Sequence, residues 1–297
     1  MGPRVPGGPA RRTPRRGDPR AVRPRHRAVG PEGQARRPAP RRPAGRLDRA
    51  AARLRLGRLL PPRRGEWTGA VAREIAFNRS QGFTDHKIKV GGLDVAEDAR
   101  RVAAAVRAIG GEGRLALDAN NAYASVHQAR AAIEAFERAA GDAPLWWFEE
   151  PLSPESVAGH AELARRIRTP VATGEIHQTR WEARSLIEAG AAAVLQTDAG
   201  VAGGVTEWLR IAHAADAFGL QMAPHWHHNL HVHLTASVAN TLVVEYFALE
   251  KGIYNFELLV TPDTRLRYGN GQVHLPDRPG LGIDLAEDVV TKYEIPA

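Results

Sequence analysis

The sequence predicts an α/β fold with parallel strands, because short apolar runs alternate with stretches of helical periodicity at about 25–30 residues per unit. Seven such runs can be counted, which suits a barrel better than a doubly wound sheet. Polar and charged residues gather where the runs end, the rim on which a parallel barrel carries its site. The expected class is therefore a TIM-like (β/α)7β barrel that lacks a proper first strand.

Taken in order, residues 1–65 form an arm of Arg, Pro, Gly and Ala. They hold 20 arginines, no lysine and three acids (Asp18, Glu32 and Asp48), a surplus of +17 in a chain of net charge +8. Such a segment buries too little apolar surface to offset its ordering entropy, and its prolines break helices, so disorder is expected. Only residues 47–60 have enough Leu and Ala for a short helix. The place of a first strand is taken by Leu59-Leu-Pro-Pro-Arg-Arg-Gly65, which does not read as one.

Residues 66–247 are the expected catalytic barrel. From residue 66 onward the chain carries 21 basic and 30 acidic side chains, an ordinary acidic body. Strands are expected at 86–90, 114–117, 145–148, 170–173, 192–196, 220–223 and 242–246. Helices are expected at 95–109, 125–140, 154–167, 180–189, 205–218 and 230–240, where apolar residues recur with the helical period. Residues 248–297 read differently, with turns at Tyr268-Gly-Asn-Gly271 and Pro279-Gly-Leu-Gly282 and short strands that pack elsewhere.

Composition excludes several classes. There is no cysteine, so disulfides, thiolate metal sites and cysteine nucleophiles are ruled out; this absence does not indicate the redox compartment, for which the cytoplasm is the default expectation. No apolar run approaches the roughly 18 residues of a membrane span, and the basic N-terminus has no apolar segment behind it to make a secretory signal. The arm suggests an anionic partner, but it lacks lysine and aromatic residues for base stacking, which argues against nucleic acid.

The strand ends carry the chemistry. Lys87 and Lys89 are two apart on one strand and so share a face. The next ends supply Asp118, then Glu149 with Glu150, then Glu175, and the last three supply Asp198, His225 and Glu245. Three carboxylates on successive strand ends, Asp118, Glu149 and Glu175, suit a hard divalent ion such as Mg2+ that prefers oxygen ligands. Each of these acids taken singly reads as a helix cap or surface charge; the register of the three, flanked by lysines and a histidine, is what points to a metal. A proton next to a carboxylate is very weakly acidic, and a metal ion that accepts the developing charge makes its removal feasible. Lys89 can act as a base only if its pKa falls, which Lys87 beside it would promote. Asp198 could accept the Nδ1 proton of His225 and fix its tautomer.

His225, His227, His228, His231 and His233 could suggest zinc, but no glutamate lies between them as in a zinc protease helix. They read instead as substrate contacts or helix surface. Gly200 to Gly204 reads as a tight turn that lets the loop after Asp198 pack under the site.

The segments Lys87-Ile-Lys89, Leu117-Asp-Ala-Asn120, Trp147-Phe-Glu-Glu-Pro151, Gly174-Glu175, Asp198, Gly203-Gly204, Ala223-Pro-His225 and Val244-Glu245 resemble the enolase superfamily, and within it the mandelate racemase subgroup. The resemblance runs from about residue 70 to the C-terminus. It implies Asp118, Glu149 and Glu175 as magnesium ligands and Lys89 as a base. It implies Lys87, with Asn120, as substrate-binding groups, His225 with Asp198 as the opposing base or acid, and Glu245 as a carboxylic acid that hydrogen-bonds the enolate. A related subgroup has a lysine where Asp198 stands, which argues against that subgroup here. The implied activity is dehydration of a sugar acid to a 2-keto-3-deoxy acid, with racemisation or epimerisation of a 2-hydroxy acid as the alternative. Homo-oligomers are common in the family. Residues 248–297 are similar to the segment that completes an α+β capping domain, whose N-terminal part is not visible in residues 1–65. A shifted reading frame or a misassigned start is one expectation, and it leaves a non-catalytic remnant as a reading of another class.

Overall fold

The computed structural model describes residues 52–56, 66–247 and 255–295. Strands and helices alternate: β1 (Ala52–Leu56), α1 (Trp67–Ser80), β2 (Asp85–Lys89), α2 (Val95–Ile109), β3 (Leu115–Asp118), α3 (Val126–Ala140), β4 (Leu145–Glu149), α4 (Val157–Ala164). They continue as β5 (Val171–Thr173), α5 (Thr179–Ala189), β6 (Val194–Leu195), α6 (Ala199–Ala202), α7 (Val205–Ala217), β7 (Gln221–Met222), α8 (His228–Ser237) and β8 (Val243–Tyr246). The eight strands form one sheet in the order β7-β6-β5-β4-β3-β2-β1-β8, every neighbouring pair parallel. Met222 also bridges Thr241 just ahead of β8: its N–H donates to Asn240 O at 2.8 Å, and Leu242 N donates to Met222 O at 2.8 Å.

One expectation is corrected here. A first strand is present: β1 lies between β2 and β8, with Leu54 opposite Asp85 and Ala52 opposite Val243. The run Ala52-Arg-Leu-Arg-Leu56 alternates with period two, which is strand patterning, and the composition of the surrounding arm hid it behind a helical reading. The rest of residues 1–65 lies outside the described residues. The helix α1 was also not anticipated. Its face is held by Val71, Ile75 and the buried Asn78, too short an apolar stripe to stand out in sequence.

The helices begin and end where local chemistry dictates. Asp94 caps α2 by accepting from Glu97 N, and Ser125 caps α3 by accepting from Gln128 N. Gly110 closes α2 at φ 68°, a left-handed conformation that a side chain would disfavour. The inward faces of α1 to α4 pack on the sheet through Ile75, Val102, Ile109, Ile133, Phe136 and Leu163, with Phe148 of β4 in the same cluster. On the other face of the sheet, Ala116, Trp147, Ala172, Val194, Ala223 and Val243 form a second cluster, one residue from each of six successive strands or strand ends. Strand alternation then sends Lys87, Lys89, Asp118 and Glu149 to the face that carries this cluster.

After β8 the chain packs back beside the sheet. A hairpin, β9 (Tyr268–Gly269) and β10 (Gln272–Val273), turns at Asn270 and Gly271, both at positive φ as such a turn requires. Tyr268 and Val273 join Phe83 and Tyr246 in one buried cluster. Glu257, in the 3-10 turn Asn255–Leu259, accepts from His228 Nε2 at 2.6 Å and Asn229 Nδ2 at 2.9 Å. Burial pushes the Glu257 pKa up, but these donors and Arg265 outweigh it, and the net shift is downward. A depressed carboxylate pKa stabilises the fold above its unfolded value, and that contribution is lost as pH falls through the folded value. Glu257→Gln should therefore lower unfolding stability by about 1–3 kcal/mol at pH 7. Melting curves should show the gap between variant and parent narrowing below roughly pH 4. A gap that does not change with pH would mean the carboxylate charge is not what anchors the segment.

Candidate active site

The ends of β2, β3, β4 and β8 meet around one ammonium group. Lys87 is 1 % exposed, and its Nζ lies 2.5 Å from Glu149 Oε1, 2.8 Å from Glu245 Oε1 and 3.3 Å from Asp118 Oδ2. Burial opposes its charge, yet the three carboxylates and Glu175 hold its pKa well above the ordinary value. Lys87 is thus committed to the carboxylates of the site. Lys89, two residues on and more exposed, donates to Asp118 Oδ2 at 2.7 Å. Burial and Lys87 pull its pKa down, as expected for a base, but Asp118 and Glu149 together outweigh them and the net shift is upward.

Each acid has its own environment. Glu149 is fully buried and takes a further hydrogen bond from Trp147 Nε1 at 2.9 Å. Burial raises its pKa, but Lys87 and Lys89 bring it below the usual range. Asp118 goes the other way: burial and Glu149 outweigh the two lysines. Glu175, on the tip of β5, is pushed up to about 9 by burial first, with Glu149 and Glu150 adding repulsion against the pull of His225. Its Oε2 is buried with no hydrogen-bond partner among the described residues. Glu150 is pushed up to about 7 by burial, Glu149 and Asp118.

Glu150 also organises the rim. It sits at φ 40°, and Asn120 and Asn121 across from it sit at 47° and 63°, three left-handed residues without a glycine. Asn121 N donates to Glu150 O, and Asn121 Nδ2 donates to Glu150 Oε2 at 3.2 Å. Asn120, exposed at the rim, donates its backbone N–H to Asp118 Oδ1 at 3.0 Å and so helps aim that acid.

The opposite side of the carboxylate strands carries the histidine. Asp198 Oδ2 accepts from His225 Nδ1 at 3.1 Å, and His225 Nε2 points at Glu175 Oε1, 3.7 Å away. Burial lowers the His225 pKa, but Asp198, Glu245 and Glu175 raise it to about 9. Asp198 also caps α6 through Gly200 N, and Gly203 and Gly204, at φ 104° and 100°, let the chain turn directly into α7. Glu245 Oε2 accepts from Trp226 N at 2.7 Å; with Lys87 and His225 beside it, Glu245 is held ionised despite burial.

The structure thus brings all nine expected residues, Lys87, Lys89, Asp118, Asn120, Glu149, Glu175, Asp198, His225 and Glu245, to the strand C-terminal ends. Two histidine expectations are corrected: His228 and His231 are completely buried rather than on a helix surface, because α8 turns these two rings toward Glu257 and the β6 loop. Trp147 and Glu150 belong to the motif Trp147-Phe-Glu-Glu-Pro151, but nothing local in the sequence indicates that Trp147 hydrogen-bonds Glu149 or that Glu150 accepts from Asn121. Among the described residues, no three His, Asp or Glu side chains are already gathered around one point as a metal cage. The donor set nevertheless fits a hard cation. Asp118, Glu149, Glu150, Glu175 and Glu245 are all buried, five acids facing Lys87, Lys89 and His225, and Glu175 holds an oxygen without a hydrogen-bond partner among the described residues.

A parallel α/β sheet with buried acids, lysines and an Asp–His pair at its strand ends defines a class of acid–base centre. The chain belongs to the family described as enolase C-terminal domain-like, whose model matches residues 70–289. It is 34% identical over 220 residues to an L-talarate/galactarate dehydratase of Salmonella typhimurium, covering 73% of this chain and 51% of that protein. It is 33% identical over 234 residues to a D-galactarolactone cycloisomerase of Agrobacterium fabrum, covering 76% of this chain and 60% of that protein. Among solved structures, it resembles L-talarate dehydratase from Polaromonas sp. JS666 complexed with Mg and L-glucarate, at 33% identity and a TM-score of 0.69 over 82% of this chain and 63% of that one. A racemase from Streptomyces coelicolor A3(2) with bound magnesium gives 27% identity and a TM-score of 0.73 over 84% of this chain and 64% of that one. The chain therefore spans 51% to 60% of the length of these two curated relatives. Among the described residues, no helix is long and apolar enough to cross a membrane.

Proposed function

We propose that this chain is a magnesium-dependent enzyme that removes the proton α to a carboxylate, dehydrating a sugar acid to a 2-keto-3-deoxy acid. The observation that carries the reading is the flanking of β3, β4 and β5, which bear Asp118, Glu149 and Glu175, by Lys89 on one side and the Asp198–His225 pair on the other. The sheet, tied at Met222 and Thr241, is read as a closed barrel of eight strands. Relatives named as sugar-acid dehydratases and the Mg–L-glucarate complex support the substrate class.

Asp118, Glu149 and Glu175 would hold the ion. When bound, magnesium would neutralise the substrate carboxylate and lower the cost of the charge that builds on it. Once the charges of Asp118 and Glu149 are committed to an ion, Lys89 keeps the pull of burial and of Lys87, and its pKa moves toward the range of a base. Lys89 then takes the α-proton. His225, an imidazolium at neutral pH, gives its Nε2 proton to the departing β-hydroxyl, which leaves as water, and the enol product tautomerises to the keto acid. Glu245 and Lys87 border the developing charge. Racemisation or epimerisation is a second reading, favoured by the same two-sided placement of Lys89 and His225; the protonated state of His225 favours dehydration.

The test is a panel of sugar acids incubated with purified protein and magnesium, with detection of 2-keto-3-deoxy products. Turnover abolished by EDTA is the expected result. Inversion at carbon 2 without dehydration would replace the reading with the second one, and turnover indifferent to EDTA would remove the metal from it.

A further inference from the structure

Two fully buried side chains outside the site each spend one ring nitrogen on the backbone around Asp198. Trp208, on α7, donates Nε1 to Thr197 O at 2.8 Å. His231, on α8, accepts from Ala199 N at its Nε2, 3.1 Å away. The peptide groups before and after Asp198 are therefore each gripped from behind by an aromatic side chain, and the two rings lie 28° from parallel with centroids 6.5 Å apart.

We propose that His231 is a positioning residue: by accepting the Ala199 amide it holds Asp198 where its Oδ2 serves His225. The inference rests on the reading of His225 as an acid–base group.

The argument turns on which ring nitrogen carries the proton. An acceptor at Nε2 requires the neutral ring with its proton on Nδ1. Asp198 Oδ1 lies 3.8 Å from that Nε2 and is already bonded to Gly200 N at 2.7 Å, while Oδ2 serves His225. A protonated His231 would lose the Ala199 amide and present a second cation to Asp198, in competition with His225. The groups facing the ring oppose that protonation in sum: burial, with His227 and His225, outweighs Asp198 and Glu245 and pushes the pKa down to about 4. The ring thus stays an acceptor through neutral pH. The same side chain could have been a leucine if only packing mattered, since α8 already buries Val232 and Leu234 there.

The test uses the full chain labelled with nitrogen-15 in its histidines. Nuclear magnetic resonance of the parent should give His231 as the neutral Nδ1–H form from about pH 5 to 8; an imidazolium or an Nε2–H form at pH 7 overturns the proposal. His231→Phe keeps a ring against Trp208 and deletes the acceptor, whereas His231→Gln restores one. In the free protein, the low-field proton of the His225–Asp198 hydrogen bond should vanish in His231→Phe and persist in His231→Gln; its persistence in both overturns the proposal. With magnesium, dehydration, which takes its proton from His225, should fall on the order of 10²-fold in His231→Phe. Exchange of the α-proton with solvent deuterium through Lys89 should hold, and His231→Gln should recover most of the lost turnover. Equal losses of dehydration and of exchange would overturn the proposal in favour of a purely structural role. Should His231→Phe not fold, the ring state in the parent still decides the proposal. Neither exchange nor dehydration in the parent, with the magnetic resonance results as expected, would sink the functional reading and leave the positioning of Asp198 standing.

Discussion

Lys89→Met should abolish exchange of the substrate α-proton with solvent deuterium from the Lys89 face. The rate from the Lys89 face should fall by about 10²–10⁴, the range of a positioned general base. Methionine keeps most of the length and volume of the side chain while removing its charge, and Lys89 is more exposed than Lys87, so the fold should tolerate the change. The loss should come with little change in substrate binding, because Lys87 and the carboxylates stay in place. Retained exchange from that face, followed by mass spectrometry, would take Lys89 out of the reaction.

Glu175→Gln should have effects of opposite sign on stability and on metal response. The buried Glu175 carboxyl, pushed up to about 9, favours the folded state only when protonated. An acid whose folded pKa is raised weakens the fold progressively as pH rises from its unfolded value toward its folded one. Removing the charge should therefore stabilise the metal-free protein at pH 8 by about 1–3 kcal/mol, and by little at pH 4. The parent should gain about 2.7 kcal/mol when magnesium is raised to a hundred times its dissociation constant, and Glu175→Gln should gain almost nothing. Thermal melts with and without magnesium at both pH values measure all four quantities. A variant that is destabilised without metal, or that still responds fully to magnesium, would remove Glu175 from the ligand set.

The strand ends were legible because a parallel sheet puts every C-terminal end on one rim, so Asp118, Glu149, Glu175, Asp198, His225 and Glu245 could be read in register from local patterns alone. What local patterns could not carry was pairing between distant strands. Lys87 faces Glu149 and Glu245, which lie 62 and 158 positions further along the chain, and nothing near Lys87 in sequence indicates that its ammonium would be spent on acids. The histidines of α8 failed for a related reason. A polar ring is expected outside until a buried acceptor or donor is found for it, and those of His228 and His231 come from Glu257 and Ala199. The strand β1 was hidden by its setting, since a two-residue alternation of Arg and Leu inside an Arg-rich stretch looks like composition rather than pattern.

The place of β1 between β2 and β8 has a consequence for how the molecule is made. Ala52 pairs with Val243, so neighbours in the finished sheet are 191 positions apart along the chain. Pairing at such separation forms late, because a long loop must close before any contact rewards it. During synthesis the first strand leaves the ribosome long before the last, and its edge waits unpaired on that side. The Lys87–Glu245 contact, which draws on the same two ends, is then among the last to form. The charge network of the site is in this sense a checkpoint: a nascent chain acquires it only when its whole strand sequence has been delivered.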